Sequence, residues 1–169
     1  MKFSIVAAVD EKNGLSKEGR IPWDIKQDML MFKELTSSSI PEQINAVIMG
    51  RITQSTFKKG FLPKRKNIVI SNTLKNDNPN ITVVHNLDEA LSVAEKERVD
   101  KIFHIGGARS YYDAIVHPEC SSVYLTRVYN NFFCDTFFPS IPSYYKKVLE
   151  SELLIENDNK FKFFKYDRL

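Results

Sequence analysis

A chain of 169 residues, 43% hydrophobic and 27% charged, suits one domain around one sizeable core. A net charge of +3 is too mild for the concentrated basic face that nucleic acid demands, and no run approaches the ~20 apolar residues of a membrane span. The two cysteines, Cys120 and Cys134, form no C-x-x-C pair and have no histidine nearby at ligand spacing, which argues against a disulfide framework or a metal site and for reduced thiols in the cytoplasm.

Segments of β-like and helix-like pattern alternate without repeats or a linker, the signature of a single α/β domain spanning 1–169. Phe3 to Val9 is apolar and partly β-branched, a buried strand too short for a signal peptide. Asp10 to Trp23 holds Gly14, Gly19 and Pro22 and reads as a long loop. Ile25 to Leu35 is a helix with Asp24 as its cap candidate. A strand at Ala46 to Met49 is closed by Gly50, a short helix follows at Thr53 to Phe57, and Lys58 to Lys66 is a basic loop. Strands are expected at Asn67 to Ser71 and Ile81 to Val84, then a helix at Leu87 to Glu97 with Asp88 and Glu89 at its positive end. Ile102 to Ile105 is a strand that stops at Gly106-Gly107, Ser110 to Val116 a helix, and Val123 to Val128 a strand. Leu149 to Leu154 and Phe161 to Tyr166 are expected to close the chain as an antiparallel hairpin around the Asn-Asp-Asn turn at 157 to 159. A mostly parallel sheet with an antiparallel C-terminal edge follows. His104, on a buried strand, reads as a satisfied core histidine, and the Phe132, Phe133, Phe137 and Phe138 group as core or edge packing.

Two features stand out against this background. Ile25, Met29, Phe32 and Leu35 fall on one helical stripe, and Asp28 lies three residues after the first and four before Phe32. The aspartate therefore points into the stripe, where a carboxylate needs a structural partner or a ligand that is cationic or donates hydrogen bonds. Secondly, Val47-Ile48-Met49-Gly50-Arg51 with Thr53, and Phe103-His104-Ile105-Gly106-Gly107 with Arg109, are both strand-to-helix corners with glycine and an arginine. Glycine lets backbone approach a ligand, and helix N-termini present free N–H groups to anions, so a diphosphate fits between two such corners. There is no G-x-G-x-x-G, and Gly14 to Gly19 has P-loop spacing without its Lys-Ser/Thr ending.

Taken together, Ile5-Val6-Ala7-Ala8, Asn13-Gly14-Leu15, Ile21-Pro22-Trp23, Asp28 with Phe32-Lys33, Met49-Gly50-Arg51 with Thr53, Leu62 to Asn67, Ile105-Gly106-Gly107 with Tyr111, Leu125-Thr126 and Asp135 to Pro139 resemble the dihydrofolate reductase family, in order and across nearly the whole chain. Pro-Trp followed five residues later by Asp is the most specific piece. The resemblance implies a three-layer fold with helices on both faces of the sheet. It also implies NADPH-dependent hydride transfer to C6 of dihydrofolate with protonation at N5. In it, Asp28 binds the 2-amino group and N3 of the pterin, Thr126 supports that aspartate, and Trp23 orders a water. Val6, Ala8, Phe32 and Ile105 line the pterin slot, Met29, Phe57 and Leu62 wall the benzoyl group, and Arg65 clamps the glutamate α-carboxylate with Lys33 at the rim. Ala8, Leu15 and Tyr111 face the nicotinamide. The implied diphosphate and adenosine contacts are Gly50, Thr53, Ile105, Gly106, Gly107, Ala108 and Arg109, with Arg51, Ser71 and Asn72 toward the 2′-phosphate.

Several positions depart from the family pattern: Ser16 and Ala108 where glycine is usual, Gln54 where an aromatic is common, and Asn72 where a second serine is frequent. Two other readings stay open. A riboflavin-pathway pyrimidine reductase shares the glycine corners but is not expected to carry Pro-Trp with the inward aspartate. A non-enzymatic nucleotide- or protein-binding domain rests only on the basic loop from Lys58. The resemblance fits a monomer as well as the reductase part of a reductase–thymidylate synthase fusion.

Overall fold

Seven residues without glycine or proline, Phe3–Val9, form β1 near the centre of the sheet. The computed structural model describes residues 1–75 and 77–169. After β1 come β2 (Gly14–Ser16), α1 (Lys26–Thr36), β3 (Ala46–Gly50), α2 (Arg51–Ser55), β4 (Lys66–Ile70), β5 (Ile81–Val84), α3 (Leu87–Lys96), β6 (Ile102–His104) and α4 (Ala108–Val116). The chain then runs through β7 (Cys120–Val128), β8 (Thr136–Phe137), β9 (Tyr145–Glu150), β10 (Leu154–Glu156) and β11 (Asn159–Arg168). Strand order across the main sheet is β10-β11-β7-β1-β6-β3-β4-β5, with β9 also paired to β11. The pairs from β7 to β5 are parallel and β11 runs antiparallel, as the alternating pattern predicts.

Side chains alternate across the sheet, and the two faces carry separate cores. Phe3, Ile5, Ile48, Ile68, Ile102 and Leu125 pack against α3 and α4 through Ala90, Leu91, Ala94, Ala114 and Ile115. On the other face Val6, Val47, Met49, Val69, Phe103 and Ile105 meet Phe32 and Leu35 of α1. A third cluster joins Trp23 and Ile25 to Val128 and Phe161 at the entry of α1.

Five expectations need correction. The segment from Asp10 is not wholly loop, because β2 pairs with β8 antiparallel; three residues with no apolar alternation carry no strand signal of their own. Asp24 does not cap α1. Ile25 is the N-cap residue without a side-chain bond, and the carboxylate of Glu156 accepts from the backbone N–H of Lys26 and of Gln27 instead. The closing hairpin is displaced. β10 pairs with the start of β11 across a two-residue turn, Asn157 and Asp158 both at positive φ, while β9 pairs with its other end. His104 is fully buried but not fully satisfied: its Nδ1 accepts a long 3.4 Å bond from the Gly106 N–H and its Nε2 has no partner among the described residues. Burial pushes its pKa down to about 3, so the ring is neutral. Of the phenylalanines, Phe138 is buried and Phe132 packs on Trp23, whereas Phe133 and Phe137 are exposed.

Candidate active site

α1 crosses the face of the sheet at the ends of β1 and β7, where Ala8 and Thr126 are register partners. This crossing brings Asp28 to Thr126, whose hydroxyl donates to the Asp28 carboxylate at 2.6 Å. Burial raises the pKa of Asp28, and the Thr126 bond draws it partly back. Among the described residues no lysine, arginine or histidine forms an ion pair with it. The acid thus lies on the inner side of the helix, partly accessible, held by a neutral donor and left without a cation. The stripe drawn from sequence is looser than expected, because Met29 is 68% exposed while Ile25, Phe32 and Leu35 face inward.

Other sequence-predicted residues gather around the same crossing. Val6, Ile105, Phe32, Phe57 and Leu62 belong to one apolar cluster. Trp23 and Ala8 belong to the adjoining one, and Lys33 is exposed. Arg65 is half-buried, and that burial lowers its pKa. Its Nε donates to the Pro63 carbonyl and its Nη1 to the Thr36 hydroxyl at 2.9 Å. Thr36 is fully buried and is itself bonded to the Phe32 carbonyl, so α1 orients the guanidinium.

The two glycine corners are neighbours because β3 and β6 are adjacent strands. The Gly50 N–H donates to the Gly106 carbonyl at 2.8 Å. Gly106 has φ +115°, and a Cβ there would meet the Tyr111 ring at 3.1 Å; at Gly107 it would meet the Thr53 hydroxyl at 3.2 Å. The Gly106–Gly107 peptide is cis. Neither α2 nor α4 has a side-chain bond at its N-cap, so their first N–H groups are open to an anion. Arg51 and Arg109 are exposed beside them and form no ion pair among the described residues. A cradle of glycine backbone, uncapped N–H groups and two guanidiniums fits a diphosphate-bearing cofactor. Ser71 and the exposed Asn72 lie just past β4; the Ser71 oxygen already accepts from the N–H of Thr73 and Leu74, leaving its O–H to donate. Tyr111 is buried, with its hydroxyl on the Val6 carbonyl at 2.6 Å, and Leu15 packs on the α3–α4 side of the sheet.

A family model described as dihydrofolate reductase matches residues 2–168. The chain belongs to the dihydrofolate reductase family. A dihydrofolate reductase of Drosophila melanogaster is 36% identical over 96% of this chain and 94% of its own length. The solved structure of Schistosoma mansoni dihydrofolate reductase superposes with a TM-score of 0.86 at 36% identity, covering 100% of this chain and 99% of that one. A bifunctional dihydrofolate reductase-thymidylate synthase of Arabidopsis thaliana is 31% identical over 95% of this chain, a match that spans 30% of that protein. Two of the four departures from the family pattern, Ser16 and Gln54, make bonds of their own. The Ser16 hydroxyl bonds the Thr136 hydroxyl across the β2–β8 pair, Gln54 donates to the Gly60 carbonyl and ties α2 to the following loop, and Ala108 simply opens α4.

Residue-level reading missed the groups that hold the loop before α1. Asp10 is 1% exposed, and its carboxylate accepts from the N–H of Lys12, Gly14 and Phe132. Burial pushes its pKa up, but these bonds and the Cys134 thiol win, and it ends below the usual value. Beside it, burial and that carboxylate push the thiol up to about 11, so Cys134 is a thiol at neutral pH. Asp135 accepts from the Glu18 N–H. An aspartate ending an apolar strand and followed by Asn13-Gly14 is a turn signal that points to Asp10; nothing local points to Asp135.

Proposed function

We propose that this chain reduces dihydrofolate to tetrahydrofolate with NADPH, using Asp28 as its one essential carboxylate. The observation that carries the reading is an inward-facing aspartate on α1 held by Thr126 and lacking a cationic partner among the described residues. A pterin ring supplies what that acid needs: two donors, the 2-amino group and N3, for its two oxygens, and positive charge when N5 takes a proton. NADPH supplies the hydride that is delivered to C6. The ring lies in the slot of Val6, Ala8, Phe32 and Ile105, and Asp28 orients it and favours the protonated form at N5. The proton comes from water ordered beside Trp23. Met29, Phe57 and Leu62 enclose the benzoyl group. Arg65, already aimed by Thr36 and Pro63, pairs with the α-carboxylate in the two-pronged manner open to a guanidinium, and Lys33 adds charge at the rim.

On the cofactor side, Gly50, Thr53, Gly106, Gly107, Ala108 and Arg109 receive the diphosphate. Arg51, Ser71 and Asn72 receive the 2′-phosphate, which selects NADPH over NADH. Ala8, Leu15, Ile105 and Tyr111 bound the nicotinamide end. The catalytic unit in this reading is a monomer, whether free in the cytoplasm or joined to a thymidylate synthase. No helix among the described residues is long and apolar enough to cross a membrane.

The test is NADPH oxidation followed by its near-ultraviolet absorbance, with and without dihydrofolate, for the parent chain and Asp28→Asn. Turnover that requires dihydrofolate and falls by about a hundredfold or more in the variant is expected. Turnover of a ribosylamino-pyrimidine in place of dihydrofolate, or an unchanged rate in Asp28→Asn, overturns the reading.

A further inference from the structure

Thr126 points toward α1, so its neighbours on β7, Leu125 and Arg127, point to the opposite face of the sheet. There an open cavity of about 340 Å³ is lined by Arg127, Ser140, Ser143 and Tyr166, with the partly exposed Ile141 and Pro142 as its apolar side over a buried floor of Leu125 and Phe138. The guanidinium of Arg127 donates at 2.9 Å to two acceptors, the Asp10 carbonyl through Nη1 and the Asn13 side-chain oxygen through Nη2. Both acceptors are neutral. No carboxylate pairs with Arg127 among the described residues, because the adjacent Asp10 carboxylate is committed to the N–H groups of Lys12, Gly14 and Phe132. A guanidinium has five N–H donors, so three remain after those two bonds. The hydroxyls of Ser140, Ser143 and Tyr166 make no side-chain hydrogen bond among the described residues and border the same space. A half-buried cation without a carboxylate among the described residues, the Tyr166 hydroxyl, two solvent-facing serine hydroxyls and a small apolar side thus border one cavity.

We propose that this cavity binds a small organic carboxylate with an aromatic or apolar body. The carboxylate pairs with the remaining N–H groups of Arg127 and the serine hydroxyls, and the body lies against Ile141 and Pro142. The apolar side formed by Ile141 and Pro142 favours such an acid over a bare inorganic anion. Because the other hydrogens of Arg127 hold Asp10 and Asn13, the occupant is one residue removed from the turn into β2 and Leu15. The Asn13 carbonyl also accepts from the Phe138 N–H, so floor and turn are directly joined. Occupancy therefore fixes the β1–β2 turn. This site shares no residue with the Asp28 cleft, and only the folate used to cover Arg65 in its test rests on the reading of that cleft.

Benzoate titrated into the full chain saturated with folate, so that Arg65 is covered, tests the proposal. Backbone amide NMR shifts are read at Asn13, Gly14, Phe138 and Ile141. Saturable shifts at these amides are expected, with affinity at least about tenfold weaker in Arg127→Gln and about two- to fivefold weaker in Ser143→Ala and Tyr166→Phe. Neutral benzamide is expected to leave the amides unmoved. Should Arg127→Gln fold poorly, the two wall variants decide alone. Absence of shifts, shifts insensitive to all three variants, loss of binding in Arg65→Gln instead, or inorganic phosphate binding as tightly as benzoate each overturn the proposal.

Discussion

Replacing Thr126 by valine isolates the one bond that secures the inward acid. Thr126 is fully buried, and valine keeps its shape while removing the donor to Asp28 at 2.6 Å, so neither a cavity nor a clash accompanies the change. A hydrogen bond to a charged acceptor contributes about 1.5–3 kcal/mol net. Asp28 is partly accessible, so water replaces some of the lost bond and the lower figure, about 1.5 kcal/mol, applies. Urea unfolding of the parent, Thr126→Val, Asp28→Ala and the double variant at neutral pH yields the coupling directly. It is expected near 1.5 kcal/mol and to shrink in acid, where a neutral carboxyl accepts a weaker bond of about 0.5–1 kcal/mol. The sign for titration follows the same balance. Burial raises the Asp28 pKa and Thr126 opposes it, so Thr126→Val moves the carboxyl titration, read by carbon NMR, further up. A coupling below about 0.3 kcal/mol at neutral pH refutes the reasoning, because additivity of that quality means the two groups do not interact.

The raised pKa of Asp28 has a second consequence. A carboxyl whose folded pKa exceeds its unfolded one gives stability that is complete below the unfolded value and is lost as pH rises through the folded value, so ionised Asp28 costs stability at neutrality. Asp28→Asn should melt higher than the parent at neutral pH and no higher well below the ordinary aspartate value of 3.8, while losing turnover; equal melting at neutrality contradicts this. Arg65→Lys should raise KM for dihydrofolate by about tenfold and leave kcat nearly unchanged, since lysine loses both the fork and the bond to Thr36; an unaltered KM removes Arg65 from the clamp. Arg51→Ala should raise KM for NADPH while sparing NADH, measured as the ratio of the two, and a parallel change in both would assign Arg51 to the diphosphate. Gly14→Ala places a Cβ 2.6 Å from the Cβ and Sγ of Cys134 and 2.8 Å from the Asp10 carboxylate, a cost of about 3 kcal/mol read by chemical denaturation, and adding Cys134→Gly should restore only the part due to Cys134.

Much of the site was legible because its signals are local. Asp28 is conspicuous from helical spacing alone, and the glycine corners from a strand ending in Gly50 or Gly106. That these corners meet follows only from β3 and β6 becoming neighbours, which is long-range topology and invisible in either segment. The same limit hid the β2–β8 pair, whose partners are separated by more than a hundred residues, and the Glu156 cap, which overrides the adjacent Asp24. Met29 misled in the other direction: helical spacing marks a stripe, but not how much of it the sheet covers, and this residue lies at the rim. Asp10 was passed over because an acid after a strand normally ends in solvent, whereas here three backbone N–H groups compensate its burial.

The Glu156 bonds bear on when the enzyme becomes competent during synthesis. The helix that carries the acid is pinned at its start by a side chain 130 positions downstream of Lys26. A nascent chain emerging only through the parallel strands has the helix without its anchor and with nothing on the outer flank of β7. Tetrahydrofolate production by ribosome-bound intermediates should therefore stay silent until the hairpin of β10 and β11 has emerged from the exit tunnel and zipped onto the growing sheet.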